Sequence, residues 1–469
     1  MSNIIIMKKF KEYQQNQPYL FPPSVLDWLP KDHPAHFINE VVDGLDLSAI
    51  YGDYVLKGQP PYNPTMMVKV LIYALTKGIR SSRKIEKALY DDVALRFLSG
   101  NQQPDFWTIS EFRRRHHEAM GEIFVQTVKL AQMAGLVNLN HVSVDGTKIK
   151  ANASKHAAMS YAYMEKEEQR LIDEAQRLLN EMEKNDKEED KLYGHRQGDE
   201  LPEELSTVEK RLQAIQKAKA ELEAEARLKQ ELLQKEQEAK AKEKAKKEKR
   251  ARYRKNKKSK KNDSGKPDPK AQRNFTDPES KIMKNSDKAF IQGYNAQATV
   301  DAKHQIIVAA DVTNQASDCN QLKGQIEQVK QNTGSYPKAA LADAGYYSEP
   351  NVRYLMKKEI EAFIPPEKIK HNEWREMKSE FRGRIPCDIS IKDLMRRRLR
   401  TKYGKKAYKL RQETVEPAFG IIKKQFGLRQ FLLRGRAKVR SMWRFTCAVF
   451  NLMKLYRTKP NLKVLLATT

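Results

Sequence analysis

Residues 141–151, HVSVDGTKIKA, and residues 338–348, KAALADAGYYS, contain the two segments that decide the fold. In each segment a short apolar stretch leads directly to an aspartate, Asp145 in the first and Asp343 in the second. Such stretches predict buried β-strands, and the Asp-Gly pair that comes after Val144 predicts that the first strand ends in a turn. We therefore expect both aspartates to lie at strand ends, where a rigid backbone would aim their side chains.

A third acidic residue, Glu416, lies in residues 408–424, YKLRQETVEPAFGIIKK, which we interpret as a helix. Oxygen ligands suit Mg²⁺ or Mn²⁺, and Mg²⁺ keeps several waters, so three carboxylates can hold two such ions. Two divalent cations about 3.5–4 Å apart can activate an attacking oxygen and stabilise the leaving oxygen of a phosphodiester. Each acid alone also has a structural alternative, as a turn residue, a helix cap or a surface ion pair with Lys423.

The composition of the chain is strongly basic. Lys and Arg total 88 against 60 Asp and Glu, which gives a formal net charge of +28. Such a charge concentrates polyanions around a protein, although basic ribosomal and membrane-surface proteins share it. Acids that can hold divalent cations within a basic chain favour phosphodiester chemistry on nucleic acid.

The cysteines and the apolar runs indicate the compartment. Cys319, Cys387 and Cys447 are far apart and form no Cys-x-x-Cys pair, which argues against a zinc finger or a disulfide framework and fits a reducing compartment. The first residues have too short an apolar run for a signal peptide, and no run of about 18 apolar residues occurs. We expect a cytoplasmic protein with no membrane partner.

Residues 1–135 are predicted to form a helical N-terminal domain that binds DNA. One helix is expected over residues 64–78, beginning at a proline and ending at a glycine, and a second over residues 82–100. Two helices joined by a tight turn can form a helix-turn-helix reader of DNA. An ordinary helical hairpin with solvated lysines is an equally good interpretation.

A third helix of this domain is expected over residues 109–135. It carries Arg113 and Arg114, which are candidate DNA contacts. Adjacent histidines do not share a helix face well, so His116 and His117 are interpreted as surface or phosphate contacts and not as a metal site.

Residues 136–154 are assigned to the first strand of a core, and residues 155–280 to an insert. Apolar residues at three-to-four spacing from Tyr161 to Met182, interrupted by Glu168, predict one long helix. The same spacing from Leu205 to Ala226, interrupted by Lys219, predicts a second. The two helices should form an antiparallel coiled-coil hairpin. Such a hairpin suggests dimerisation or a DNA clamp, but it can also be satisfied internally.

The insert ends in a basic tail over residues 239–270, which lacks a regular apolar pattern. We expect this tail to be disordered, or ordered only on a polyanion. A solvated low-complexity linker is an equally good interpretation.

Residues 281–458 are assigned to the remainder of the core, and residues 459–469 to a tail. A strand hairpin turning near residue 302, a helix, the strand before Asp343, a further helix and a short strand succeed one another. Together with the first strand, this order predicts a mixed sheet flanked by helices. The C-terminal part is also rich in basic residues, and four of them are candidate DNA contacts: Arg396, Arg397, Arg398 and Arg434.

These segments resemble the bacterial insertion-sequence transposases of the DDE class over nearly the whole chain. Residues 32–116 are similar to the helical domain at the front of many such enzymes. SVDGTKIKANASKH at 143–156 resembles the first catalytic strand of the family, and LADAGYYSEPN at 341–351 resembles the second. Residues 415–455, which begin VEPAFGIIKK, resemble the catalytic helix and the segment after it.

The resemblance implies an α/β ribonuclease-H-like mixed sheet with a helical N-terminal domain and an inserted helical hairpin. It implies that Asp145, Asp343 and Glu416 are catalytic residues and the ligands of two Mg²⁺ ions, with Mn²⁺ as an alternative. The implied activity is endonucleolytic cleavage of double-stranded DNA at the terminal inverted repeats of an element, then strand transfer into target DNA. The implied assembly is a homodimer on DNA, located with the bacterial nucleoid.

The family's tyrosine–arginine–glutamate–lysine signature maps onto Tyr408, Arg411, Glu416 and Lys423, which implies that the three residues other than Glu416 contact DNA. Four residues separate Arg411 from Glu416, where the family pattern has three. The insert also comes after the first strand, whereas related transposases usually carry one later, before the glutamate.

Two other functions remain open at this point. One is a ribonuclease-H-like nuclease that cuts DNA without joining it. The other is a non-catalytic DNA-binding protein derived from a transposase, although the presence of all three acids argues against it.

Overall fold

The structure is a computed structural model that describes residues 24, 28–54, 60–154, 157–193, 203–247, 267–285, 287–367, 386 and 389–458. Three expectations concern residues outside this set, namely the tail at 459–469, residues 248–266 of the basic tail of the insert, and Cys387. The chain divides into two compact units. One lies within Met1–Ala119 and Leu452–Thr469, and the other within Met120–Asn451.

The first unit is helical. Its helices are α1 (Pro34–Asp43), α2 (Ser48–Tyr51), α3 (Pro64–Thr76), α4 (Ser82–Asp91), α5 (Val93–Leu98) and α6 (Phe106–Arg115), with the first residues of α7 (His117–Met133). The predicted helix at residues 64–78 is confirmed as α3. The side chain of Asn63 accepts a hydrogen bond from the Met66 N–H at 3.2 Å and caps its first turn.

The two helices predicted after α3 are each divided in the structure. Asp92 ends α4, and its side chain accepts hydrogen bonds from the N–H groups of Ala94 and Leu95 at 2.8 and 3.1 Å. That bonding makes Asp92 the N-cap of α5, so the chain changes direction at this residue. The third predicted helix begins earlier than expected, at Phe106, and is interrupted at His116 between α6 and α7.

His116 is buried, so its interpretation as a surface or phosphate contact was wrong. The side chain is 1% exposed, with Nδ1 2.8 Å from Asp53 Oδ2 and Nε2 3.2 Å from the Tyr54 hydroxyl. Burial lowers the pKa of His116, although Asp53 acts in the opposite direction. The imidazole therefore serves as a structural hydrogen-bonding group inside this unit.

The second unit is built on a mixed sheet, as predicted. Its strands are β1 (His141–Lys150), β4 (Lys281–Lys284), β5 (Phe290–Asp301), β6 (Ile307–Thr313), β7 (Ala339–Ala342) and β8 (Glu361–Phe363). β1 is central and pairs antiparallel with β5 and parallel with β7. β8 continues the parallel side, and β4 and β6 pair antiparallel with successive parts of β5.

Helices cover both faces of this sheet. They are α10 (Leu322–Thr333), α11 (Glu349–Lys357), α12 (Ile391–Arg400), α13 (Lys402–Lys424) and α14 (Arg436–Thr458), whose last residues belong to the first unit. Successive side chains of a strand point to opposite faces. Thr299 of β5 bonds Gln325 of α10 at 3.0 Å and so marks the α10 face. Asp145 of β1 bonds Arg411 of α13 and marks the opposite face, the α13 face.

Two further helices, α8 (Tyr161–Tyr193) and α9 (Glu203–Lys247), lie between β1 and β5 in the sequence. They share a buried cluster to which both contribute, made of Tyr161, Met164, Leu171, Val208, Ile215, Ala218 and Leu222. Glu168 and Lys219, which interrupt the apolar pattern of each helix, form an ion pair with each other at 2.6 Å. The Tyr161 hydroxyl at the start of α8 donates to Glu223, whereas Glu168, seven residues further along α8, pairs with the earlier Lys219, so the helices run in opposite directions.

Helix α9 is longer than expected. It continues to Lys247, so the first nine residues of the stretch predicted to be disordered are helical. Ala, Glu and Lys are good helix formers, which explains why the helix persists where apolar side chains become scarce. At the base of the two helices, β2 (Ala158–Ser160) pairs with β3 (Gln272–Asn274). Across the described part of the chain, every helix is too short or too polar to cross a membrane.

Candidate active site

The two aspartates lie side by side because of the register of the parallel strands. Val144 of β1 pairs with Ala342 of β7, and this is the last registered pair between the two strands. Asp145 directly follows Val144 in the sequence, and Asp343 directly follows Ala342. Neighbouring strands lie about 4.8 Å apart, so the two carboxylates begin from adjacent backbone positions.

Only Asp343 lies at a strand end. Its side chain accepts a hydrogen bond from the Gly345 N–H at 2.9 Å and caps the short 3₁₀ turn Ala344–Tyr346. The turn predicted at Asp145-Gly146 is wrong, because β1 continues to Lys150. β5 pairs with β1 over this whole length, and the hydrogen bonds of that ladder keep the Asp-Gly pair extended.

Arg411 connects the first acid to the third. Its Nη1 atom lies 3.0 Å from Asp145 Oδ2, and its Nη2 atom lies 3.7 Å from Glu416 Oε1. The side chains of Arg411 and Asp145 are 13% and 19% exposed, whereas Glu416 is 53% exposed. The structure therefore brings the arginine of the signature to the acids despite its longer interval from Glu416.

The electrostatics of the site reflect this crowding. Burial raises the pKa of Asp145 to about 6, the Arg411 guanidinium opposes that rise, and the nearby Asp343 carboxylate adds to it. Burial lowers the pKa of Arg411, but its acidic neighbours and Tyr408 outweigh burial and raise it. Burial also raises the pKa of Tyr408, whose ring lies 5.8 Å from the guanidinium carbon of Arg411.

A metal site is only partly assembled. Within the described ranges, no three His, Cys, Asp or Glu side chains are grouped so that they could hold a metal ion. Asp145 and Asp343 do offer oxygen donors on adjacent strands, and their mutual repulsion is the kind that a divalent cation relieves. These two residues fit such an ion by their chemistry. Glu416 is separated from Asp145 by the Arg411 guanidinium.

The other basic residues expected in this unit have varied surroundings. Lys423 is half-buried, and burial lowers its pKa. Arg398 donates to the Ala362 carbonyl at 3.1 Å, and Arg396 pairs with Asp393 at 3.0 Å and with Glu367. Arg397 lies beside them on α12. Arg434 donates to the Asn152 carbonyl at 3.0 Å.

In the first unit, Arg113 donates to the Arg80 carbonyl at 2.7 Å and to the Ser82 hydroxyl. Burial lowers the pKa of Arg113 to about 10. Arg114 is exposed and pairs with Glu111 at 2.7 Å on the same helix. Of the two arginines, Arg114 thus has the more accessible guanidinium.

Sequence reasoning missed one acidic residue close to the site, Asp318. Its carboxylate lies on the α10 face, directly behind Gly146, and receives hydrogen bonds from Lys148 at 3.1 and 3.0 Å. The sequence predicted a helix over residues 318–334 that begins at Asp318, whereas α10 begins at Leu322 and Asp318 precedes it, so no pattern singled this residue out. Gly146 was a usable signal, because a glycine within a strand often marks a close approach of other groups to the backbone.

A mixed sheet with two adjacent aspartates, under a helix that carries a glutamate, fits a nucleic-acid-processing enzyme. Two family models match the chain, the transposase domain over residues 23–115 and the transposase DDE domain over residues 266–452. The chain belongs to the DDE transposases of insertion sequences. Its sheet is the ribonuclease-H-like arrangement that the DDE domain implies. No curated protein and no solved structure matches it.

Proposed function

We propose that this protein cuts DNA at the ends of an insertion element and joins the freed 3′ ends to target DNA. Asp145, Asp343 and Glu416 act as its catalytic carboxylates. The observation that carries the proposal is the register of β1 and β7, which ends with Asp145 and Asp343 on adjacent positions. Glu416 lies on the helix that packs over the same face.

Asp145 and Asp343 would hold a divalent cation, Mg²⁺ or Mn²⁺, and Glu416 would complete the ligands for a pair of ions. Cations held by these residues would activate the attacking water or 3′-hydroxyl and would stabilise the leaving oxygen. The protein's own contribution is to fix the two aspartates on paired strands and to keep the Asp145 side chain largely buried. Arg411 and Lys423 lie on α13, the helix that carries Glu416, and add positive charge that attracts the DNA phosphates.

Several features support double-stranded DNA as the partner. The net charge of +28 gives a strong, salt-dependent attraction to phosphates. The helical first unit, matched by the transposase domain, supplies a separate DNA-binding domain. Cutting and pairing two element ends requires two active sites, so we propose a homodimer on DNA. We also propose that the paired helices α8 and α9 form an inserted hairpin. We propose the domain division that the sequence predicts, with domains at 1–135, 136–154, 155–280 and 281–458.

The test uses purified protein, Mg²⁺ and DNA that carries the inverted repeats flanking the reading frame. The expected products are ends cleaved at the repeats and strands joined to a second DNA. Asp343→Asn should abolish both products and leave binding of the end DNA largely unchanged. The matched control is Asp268→Asn, because Asp268 is an exposed turn residue that accepts from the Lys270 N–H.

Cleavage without any joined product would replace the proposal with a nuclease. Binding without cleavage by the wild-type protein would indicate a non-catalytic DNA-binding protein. Cleavage by Asp343→Asn at the wild-type rate would show that Asp343 is not one of the catalytic carboxylates.

A further inference from the structure

A buried ion pair lies directly behind the strand that carries Asp145. The Asp318 carboxylate accepts hydrogen bonds from Lys148, from Asn295 Nδ2 at 2.6 Å and from Gln297 Nε2 at 2.8 Å. The side chains of Lys148 and Asp318 are largely buried. Both oxygens of the Asp318 carboxylate are therefore hydrogen-bonded, which suits an anchor of the strand better than a metal ligand.

The pair packs against the backbone of β1 at Gly146. A Cβ atom at Gly146 would collide with Gln297 Nε2 and would lie 2.8 Å from both Asn295 Oδ1 and Asp318 Oδ1. No side chain larger than hydrogen fits there unless these groups move. The polar groups therefore fix the position of the backbone immediately next to Asp145.

The same groups extend to the turn after Asp343. The Tyr346 hydroxyl donates to Gln297 Oε1, and the Tyr346 N–H donates to the Asp343 carbonyl at 3.2 Å. Burial, together with the charges of the nearby carboxylates, raises the pKa of Tyr346 well above its ordinary value. The hydroxyl thus keeps its proton and remains a donor. Asn351 Nδ2 closes the arrangement by donating to the carbonyls of Tyr346 and Cys319 at 2.8 and 2.6 Å.

We propose that this set, the Asp318 cluster, is a positioning device that sets the spacing between the Asp145 and Asp343 carboxylates. Its members are Lys148, Asn295, Gln297, Asp318 and Tyr346. The inference rests on the proposed function, since it gives the cluster the task of holding two metal-binding carboxylates in place. The cluster contacts the backbone at Gly146, next to Asp145, and it includes Tyr346, whose N–H bonds the Asp343 carbonyl. It therefore connects the two aspartates from the α10 face of the sheet.

The expected size of the effect comes from the way metal sites depend on their surroundings. Groups that orient metal ligands typically change metal affinity by about 10–100-fold when they are altered. Removing one hydroxyl from the cluster leaves both carboxylates chemically unchanged. If the free energy of metal binding changes more than the free energy of unfolding, the lost hydroxyl acts by positioning the carboxylates.

The test measures Mn²⁺ binding to the full-length protein without DNA, by the electron paramagnetic resonance signal of free Mn²⁺. Tyr346→Phe removes only the hydroxyl that donates to Gln297, and we expect Mn²⁺ affinity to fall about tenfold or more. The matched control is Tyr354→Phe, because the Tyr354 hydroxyl donates to Glu327 at 2.6 Å on α10, outside the cluster. Thermal unfolding and binding of end DNA should be nearly the same in both variants.

A second variant covers the case in which Tyr346→Phe folds poorly. Asn351→Ala cuts the link between the Tyr346 turn and the Asp318 loop without touching either carboxylate, and it should also weaken Mn²⁺ binding. Mn²⁺ affinity within twofold of the wild type in these variants, when folded, would overturn the positioning role.

Asp343→Asn separates this inference from the proposed function. If Asp343→Asn abolishes Mn²⁺ binding and Tyr346→Phe leaves it intact, the positioning role alone fails. If the wild type binds no Mn²⁺, or Asp343→Asn binds it as the wild type does, the metal site fails and the positioning role fails with it.

Discussion

Arg411 donates a hydrogen bond to Asp145 across the interface between α13 and β1, at 3.0 Å, with both side chains largely withdrawn from solvent. The guanidinium holds down a pKa that burial and Asp343 would otherwise raise further. Its other amino group faces Glu416 at 3.7 Å. One arginine therefore supplies positive charge to two of the three acids of the site, which is where a divalent cation would also act.

The first prediction concerns replacement of this arginine. Arg411→Met leaves Asp145 partly buried without its cationic partner, and removing one member of such a pair costs about 3 kcal/mol in free energy of unfolding. The loss should be smaller at about pH 5, because protonation of Asp145 removes the unpaired charge. Urea denaturation in the absence of metal measures both effects.

Added Mn²⁺ should stabilise Arg411→Met more than the wild type, because the ion replaces a charge that only the variant lacks. The matched control is Arg353→Met on α11, whose side chain is exposed and lies 3.9 Å from Glu349. An equal Mn²⁺-induced shift in melting temperature for the wild type and Arg411→Met would show that Arg411 and the ion do not serve the same carboxylates.

The second prediction concerns Gly146. Gly146→Ala places a Cβ against the amide and carboxylate groups of the Asp318 cluster, and overpacking of this kind typically costs about 1–3 kcal/mol. Gly324→Ala is the matched control, since Gly324 lies in α10 with no atom within 4 Å of the new Cβ. Alanine is the better helix former, so the control should be neutral or slightly more stable. Chemical denaturation of both variants checks the difference, and similar stabilities would contradict the close packing at Gly146.

The strands around Gly146 show which parts of the fold could be predicted from the sequence. The apolar residues before Asp343 predicted a buried strand correctly, because that pattern is local. The Asp-Gly pair at 145–146 suggested a turn, because in isolation it prefers one. Pairing with β5 overrides this preference, and since β5 lies beyond the long insert, no local pattern reports such pairing.

The site was predictable to a similar extent. Three acids in recognisable segments could be selected from the sequence, and so could the arginine that joins two of them. The Asp318 cluster could not, because Lys148 and Asp318 are 170 positions apart and meet only once the sheet has formed. His116 was likewise misassigned, since its burial depends on Asp53 and Tyr54, which lie more than sixty positions earlier.

The third prediction concerns the pH dependence of the first unit. Burial lowers the pKa of His116 below its ordinary value of 6.5, so the unfolded chain binds this proton more readily than the folded chain. The stability associated with neutral His116 is present above about pH 6.5 and declines as the pH falls below it. In His116→Asn this part of the pH dependence should disappear. Thermal unfolding from pH 8 to pH 5 checks it, and the same pH profile for the variant and the wild type would assign the titration to another group.

The fourth prediction concerns the electrostatics of DNA binding. With a net charge of +28, affinity for DNA should fall linearly with the logarithm of salt concentration, by about 10³–10⁵-fold between 50 and 200 mM for six to ten phosphate contacts. Lys423→Gln should weaken binding to all sequences and reduce the slope by about one contact, because Lys423 lies on the helix that carries Glu416. Lys323→Gln is the matched control, since Lys323 is exposed on α10 at the opposite face of the sheet.

Fluorescence anisotropy over a salt series measures the slopes. Equal slopes for the two variants would place the DNA away from the α13 face, and a flat response in the wild type would remove electrostatic attraction as the basis of binding.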